Sequence, residues 1–123
     1  MNLKKIISQG ESETVEFKKS LSESKEIIKT ISAFANTKGG RIFVGVSNSR
    51  KVLSVEIGKD TIERLTNQIT QNTDPKINPH ITVERIDEKQ IIIIKVKESS
   101  DHLVLASGRP YKRRKINTPN VQR

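Results

Sequence analysis

The sequence predicts an α+β fold, with a mixed or antiparallel sheet of about six strands packed against two main helices. Three patterns carry that expectation. Val15 and Phe17 alternate with Glu16 and Lys18, the period-two signature of a half-buried strand. Ile27, Ile28, Ile31, Phe34 and Ala35 fall at i, i+1, i+4, i+7 and i+8, one stripe of an amphipathic helix. The run Ile91-Ile92-Ile93-Ile94 is apolar on both faces, as a strand in the middle of a sheet must be.

The elements follow in order. Leu3, Ile6 and Ile7 are spaced for a short helix ending near Gly10, and the strand at 14–18 comes next. Ser20, with Glu23 three residues on, reads as a capping box opening the first main helix. Gly39 stands where a left-handed C-cap is expected. Residues 41–46 read as a strand, with 52–55 as its hairpin partner. Asp60 and Glu63 mark the second main helix, whose Ile62, Leu65 and Ile69 share a face; Asp74-Pro75 and Asn78-Pro79 stop it. Residues 81–86 and 90–96 make a hairpin around Asp87-Glu88-Lys89, and 103–105 pairs with 110–113 across 106–109. There is no internal repeat or linker, so 1–123 reads as one domain.

Composition narrows the chemistry. Hydrophobic residues make up 33% of the 123, with three Phe and one Tyr, so the core is aliphatic and isoleucine-rich. The absence of cysteine excludes disulfides and thiolate zinc sites. Residues 1–7 hold two lysines and no apolar stretch of signal-peptide length, and the longest apolar run is far too short to span a bilayer. The expectation is a cytoplasmic protein with no membrane partner.

The net charge of +9 is unevenly placed. Of 23 basic residues, six lie after position 101 (Arg109, Lys112, Arg113, Arg114, Lys115 and Arg123) and no acid accompanies them; the first 101 residues carry 17 bases against 14 acids. A basic segment at 109–123 suits a polyanion, because each phosphate it neutralises releases condensed counterions. The same run also reads as a solvated tail. Within it, Tyr111 is the one aromatic flanked by bases and is a candidate for stacking on a nucleobase.

Two further constellations stand out. Glu16 and Lys18 lie side by side on one strand face, either as a surface ion pair or as polar chemistry anchored in a site. The Asn36-Thr37-Lys38-Gly39-Gly40-Arg41 turn offers backbone donors, a hydroxyl and two cations, as a phosphate contact or as a plain helix cap. It lacks the order of a Walker A loop. His80 and His102 are isolated, so neither a metal pair nor a Ser-His-Asp set can be assembled.

The strings Glu11-Ser-x-x-Val-Glu-Phe-Lys18, Ser32-Ala-Phe-Ala-Asn-Thr-x-Gly-Gly40, Val44-Gly45-Val46 and Arg109-Pro-Tyr-Lys-Arg-Arg114 come in a recognisable order. Together they resemble the Schlafen-type AlbA-like domain family over nearly the whole chain. The resemblance implies a DNA- or RNA-binding domain, and the basic run and the glycine turn supply the candidate backbone contacts: Lys38, Gly39, Gly40, Arg41, Arg109, Tyr111, Lys112, Arg113, Arg114 and Lys115. The family also includes nucleases that cut structured RNA such as tRNA. For these the resemblance implies Glu11 and Glu16 as ligands of Mg²⁺ or Mn²⁺, with Lys18 steadying the developing charge. This chain departs from the nuclease pattern after Gly45-Val46, where Ser47 and Asn48 stand in place of an aspartate, with Glu13 or Glu56 as conceivable substitutes. Paired domains in nuclease relatives imply a homodimer as a further possibility.

Overall fold

The computed structural model describes residues 2–113. Three α-helices, α1 (Leu3–Gln9), α2 (Ser24–Ala35) and α3 (Thr61–Asn72), are combined with seven strands. Strands β1 (Val15–Lys18), β2 (Gly40–Val44), β4 (His80–Ile86) and β5 (Lys89–Val96) form a sheet in the order β1-β2-β5-β4. The β1–β2 pair is parallel because α2 returns the chain to the same end of the sheet; the other pairs are antiparallel. The expected apolar strand, β5, is interior to the sheet. A smaller sheet, β3-β6-β7, joins β3 (Thr73–Asp74), β6 (Leu105–Ala106) and β7 (Arg109–Pro110).

Alternation along each strand divides the core into two layers. On one face Ile42, Val44, Ile92 and Ile94 meet Ile27, Ile31 and Phe34 of α2 and Leu65 and Ile69 of α3. On the other face Phe17, Phe43, Ile91 and Ile93 pack with Ile7 of α1. Phe17 and Phe43 meet edge to face, with centroids 6.0 Å apart. Val15 and Phe17 therefore face α1, and Glu16 and Lys18 emerge on the α2 side.

Three local expectations change. Ser20 accepts from the Ser22 N–H at 3.2 Å and caps a 3₁₀ turn, Leu21–Glu23, instead of α2 itself. The turn intervenes because the chain must bend from the edge strand onto the sheet face before the helix can run. Residues 52–55 do not pair along β2; a single bridge, Val46 to Val52, remains. The segment instead crosses to β5, where the Val55 N–H donates to the Gln90 carbonyl at 2.9 Å, because β5 already occupies the inner edge of β2. The last hairpin is tighter than expected: β6 and β7 enclose only Ser107 and Gly108, both at positive φ, as a two-residue primed turn requires.

Candidate nucleic-acid interface

The residues singled out in the sequence fall into three places. The first is the outer edge of β1. Arg113 reaches it from the C-terminal segment, although it lies 97 residues from Glu16 in the chain. Its Nη1 pairs with one oxygen of Glu16, while Lys18 Nζ holds the other oxygen at 3.1 Å. Nη2 donates to the carbonyls of Ser12 (2.7 Å) and Val15 (3.1 Å), and the guanidinium stacks 5.0 Å from the Phe34 ring centroid. The Arg113, Lys18 and Glu16 side chains are only 12–14% exposed. A group so enclosed is a structural tie before it is a ligand for anything outside.

Glu11 completes this edge. Its Oε2 accepts the Phe17 N–H at 2.9 Å, so β1 presents neither a bare N–H at Phe17 nor a bare carbonyl at Val15. Partial burial pushes the Glu11 carboxyl above its ordinary value of 4.5. The Phe17 N–H pulls the other way, Glu16 adds to the rise, and Arg113 and Lys18 oppose it.

A divalent metal does not fit these donors. Both Glu16 oxygens are engaged by cations, one Glu11 oxygen is taken by the backbone, and a hard cation needs several free oxygens. No group of three or more His, Cys, Asp or Glu side chains at ligating distance exists among the described residues. Of the candidate third acids, Glu13 pairs with Lys38 at 3.4 Å. Ser47 hydrogen-bonds Ser49 and the Lys51 N–H.

The second place is the clamp at the end of α2. Asn36 Nδ2 donates to the carbonyls of Val104 and Tyr111, both at 2.8 Å, and Oδ1 accepts the Val104 N–H at 2.7 Å. Ser32 Oγ donates to the Val104 carbonyl (2.8 Å) and receives the Tyr111 N–H (3.2 Å), while Thr37 Oγ1 receives the Arg113 N–H at 3.0 Å. Ser32, Asn36 and Thr37 thus bind residues 104–113 as a strand partner would. The elbow's expected backbone donors are engaged inside the fold: Asn36 with Ser32, Thr37 and Gly39 with Phe34, and Arg41 with Thr14. Its glycines answer to space. Gly39 has φ +75°, and a Cβ there would lie 2.7 Å from the Val96 carbonyl; one on Gly40 would lie 2.7 Å from the Phe34 ring.

What the elbow offers outward is charge. Lys38 is exposed, and Arg41, which packs over the Phe43 ring at 5.8 Å, lies directly opposite Lys95 of β5, with His80 of β4 beyond it. This row crosses three strands at the end of the α1 face farthest from the β4–β5 turn. The other end is covered by α1, whose Lys4 reaches Asp87 at 2.9 Å. A concavity of about 360 Å³ is lined here by 38–41, Thr14, Lys95, Lys97 and Glu98, and an adjoining one of about 510 Å³ shares Lys95 and Lys97 and adds Lys76 and His80. Five cationic side chains and one acid line the pair. Lys76, Lys95 and Lys97 escaped the sequence reading, although Lys95 and Lys97, two apart after four isoleucines, form a visible polar break on one strand face.

The third place is the cleft beside Tyr111 and Arg109, on the first half of α2. Lys112 is exposed between Tyr111 and Arg113, and Arg114 and Lys115 lie outside the described residues.

The Schlafen, AlbA_2 family model matches residues 11–121. The chain belongs to that family. Among solved structures, the N-terminal domain of an ATP-dependent DNA helicase RecG-related protein from Nitrosomonas europaea is similar at TM-score 0.71 and 19% identity. That match covers 99% of this chain and 95% of that one. The DIP2311 protein from Corynebacterium diphtheriae is similar at TM-score 0.64 and 17% identity, over 77% of this chain and 19% of that one. The AlbA_2 chain thus spans less than a fifth of the Corynebacterium protein. No curated protein matches the sequence. None of the described helices is long and apolar enough to cross a membrane.

Proposed function

We propose that this AlbA_2 domain binds nucleic acid by its phosphate backbone, DNA or RNA, without reading sequence. The observation that carries this is the paired concavity at the sheet end, where Lys38, Arg41, Lys76, Lys95 and Lys97 converge with Glu98 as the one acid among the lining residues. Strands fix the Arg41 and Lys95 backbones in register, so the two cations reach a polyanion from the same side of the sheet. Family membership and the DNA-helicase description of the Nitrosomonas neighbour support the same reading. Cations without a base-reading element position a duplex but do not specify it. The sequence adds further positive charge in the basic segment 109–123.

The test is fluorescence anisotropy with labelled duplex DNA and single-stranded RNA of mixed sequence across a salt series. Affinity is expected to fall linearly on a log–log plot against salt, with a slope of about 0.9 per phosphate contact on duplex DNA. It should vary little between sequences. Binding that is flat across the salt series, or absent at low salt, overturns the reading.

A further inference from the structure

The cleft between α2, α3 and the β6–β7 hairpin shares no residue with the sheet-end groove. Its volume is about 450 Å³, within the roughly 300–1,000 Å³ usual for small-ligand sites. Lys25 and Lys29 of α2 and Arg109 of β7 line it, and no acid does. Three cations gathered in one concavity repel one another unless an anion joins them. Among the described residues, the one carboxylate paired with any of them is Glu26, which meets Lys29 at 3.4 Å with both side chains about half exposed.

The cleft also has an aromatic wall. Lys29 Nζ lies over one face of the Tyr111 ring, 5.8 Å from its centroid, so an anion held by Lys29 sits beside that ring and leaves its other face for a base. The Tyr111 backbone is pinned on both sides, its N–H by Ser32 and its carbonyl by Asn36, which holds the residue at the cleft wall. The hairpin is fixed too, through the Ser107 N–H on the Asn72 carbonyl at 2.8 Å. Gln68, exposed on α3, lines the same cleft.

We infer that this cleft binds a nucleoside 5′-phosphate, with the phosphate on Lys25, Lys29 and Arg109 and the planar base against Tyr111. Gln68 is placed to hydrogen-bond the base edge. The ligand is either a free mononucleotide or the 5′-phosphorylated end of a strand, since both present the same chemistry. The proposal stands whether or not the sheet-end groove binds a backbone.

The test uses the full chain and amide chemical-shift titration with AMP, UMP, adenosine and inorganic phosphate. Both nucleotides are expected to shift residues 24–29, 68–72 and 106–111, and adenosine or phosphate alone to bind about ten-fold more weakly. Lys29→Gln and Arg109→Gln should each weaken AMP about ten-fold. Tyr111→Ala should weaken AMP about five-fold or more while leaving phosphate binding unchanged. Lys29 and Arg109 are surface groups whose replacement spares the core, so loss of binding there is not loss of fold. A 5′-phosphorylated tetranucleotide that shifts the same residues, compared with its 5′-hydroxyl twin, identifies a strand end; its failure beside AMP binding identifies the free nucleotide. No shift with millimolar AMP, shifts confined to 38–41 and 95–97, or binding indifferent to Lys29→Gln overturns the proposal. A Lys95→Gln/Lys97→Gln variant that loses duplex binding yet keeps AMP separates the two sites.

Discussion

Arg113 shows how much one side chain can be asked to hold. It satisfies Glu16, two carbonyls of the β1 edge and one face of Phe34 from a position with little solvent. Arg113→Ala is expected to lower stability by about 2–4 kcal/mol in urea denaturation, because it leaves one oxygen of a nearly buried carboxylate without its partner while Lys18 keeps the other. Arg113→Lys should recover little, since an ammonium cannot span the carboxylate and two carbonyls at once. A double-mutant cycle with Glu16→Ala should give a coupling of about 1–3 kcal/mol. An additive cycle would mean that Glu16 is free for another role, such as holding a metal. Glu11 adds a pH signature. Its raised native pKa means the folded chain keeps a proton the unfolded chain has lost, so this group's favourable contribution is complete below about 4.5 and disappears as pH rises through the native value. Glu11→Gln, whose amide oxygen can still accept the Phe17 N–H, should remove that decline. The check is the pH profile of the stability difference between variant and parent, and a difference that runs the other way refutes the assignment.

Among elements, the end of α2 decides most. Asn36 serves residues 104 and 111 as a backbone surrogate, so Asn36→Ala leaves the buried Val104 amide and carbonyl short of partners. The expected loss is about 2–4 kcal/mol, with faster hydrogen exchange at the Val104 amide as the local readout. Unchanged exchange there would show that Ser32 alone holds the segment. Gly40→Ala tests the packing of the elbow. Its methyl would meet the Phe34 ring at 2.7 Å, and the domain should lose about 1–3 kcal/mol by thermal melting. The motif from Ser32 to Gly40 was visible in the sequence, and so was the helix it ends. Its purpose was not: hydroxyls and an amide near a glycine pair look the same whether they face a phosphate or another stretch of the chain. The partner strand at 104–113 decides between the two.

On the scale of the whole molecule, the two sheet faces are used differently. The α2 face is closed by helices, and the α1 face is left open at one end, where β2, β4 and β5 bring cations from distant segments together. Lys95→Gln/Lys97→Gln should weaken binding to duplex DNA and reduce the log–log salt slope by about two, one unit for each lost phosphate contact. Stability should hardly change, because both side chains are exposed. An unaltered slope would move the interface elsewhere. Arg41 and Lys95 become neighbours through the β2–β5 register, which no local pattern encodes. For the same reason the basic C-terminal segment reads as a uniform run, whereas the fold turns Arg113 inward and leaves Lys112 outward.

Periodicity determined the helices, the main strands and the central place of β5. Those features depend on neighbours within a few residues along the chain, where side-chain direction follows from backbone geometry. The tertiary structure alone decided which charges face solvent, that Glu11 and Glu16 seal a strand edge, and that Lys76, Lys95 and Lys97 share one groove. A charge carries no record of its direction; that depends on which oppositely charged or carbonyl group long-range packing sets across from it.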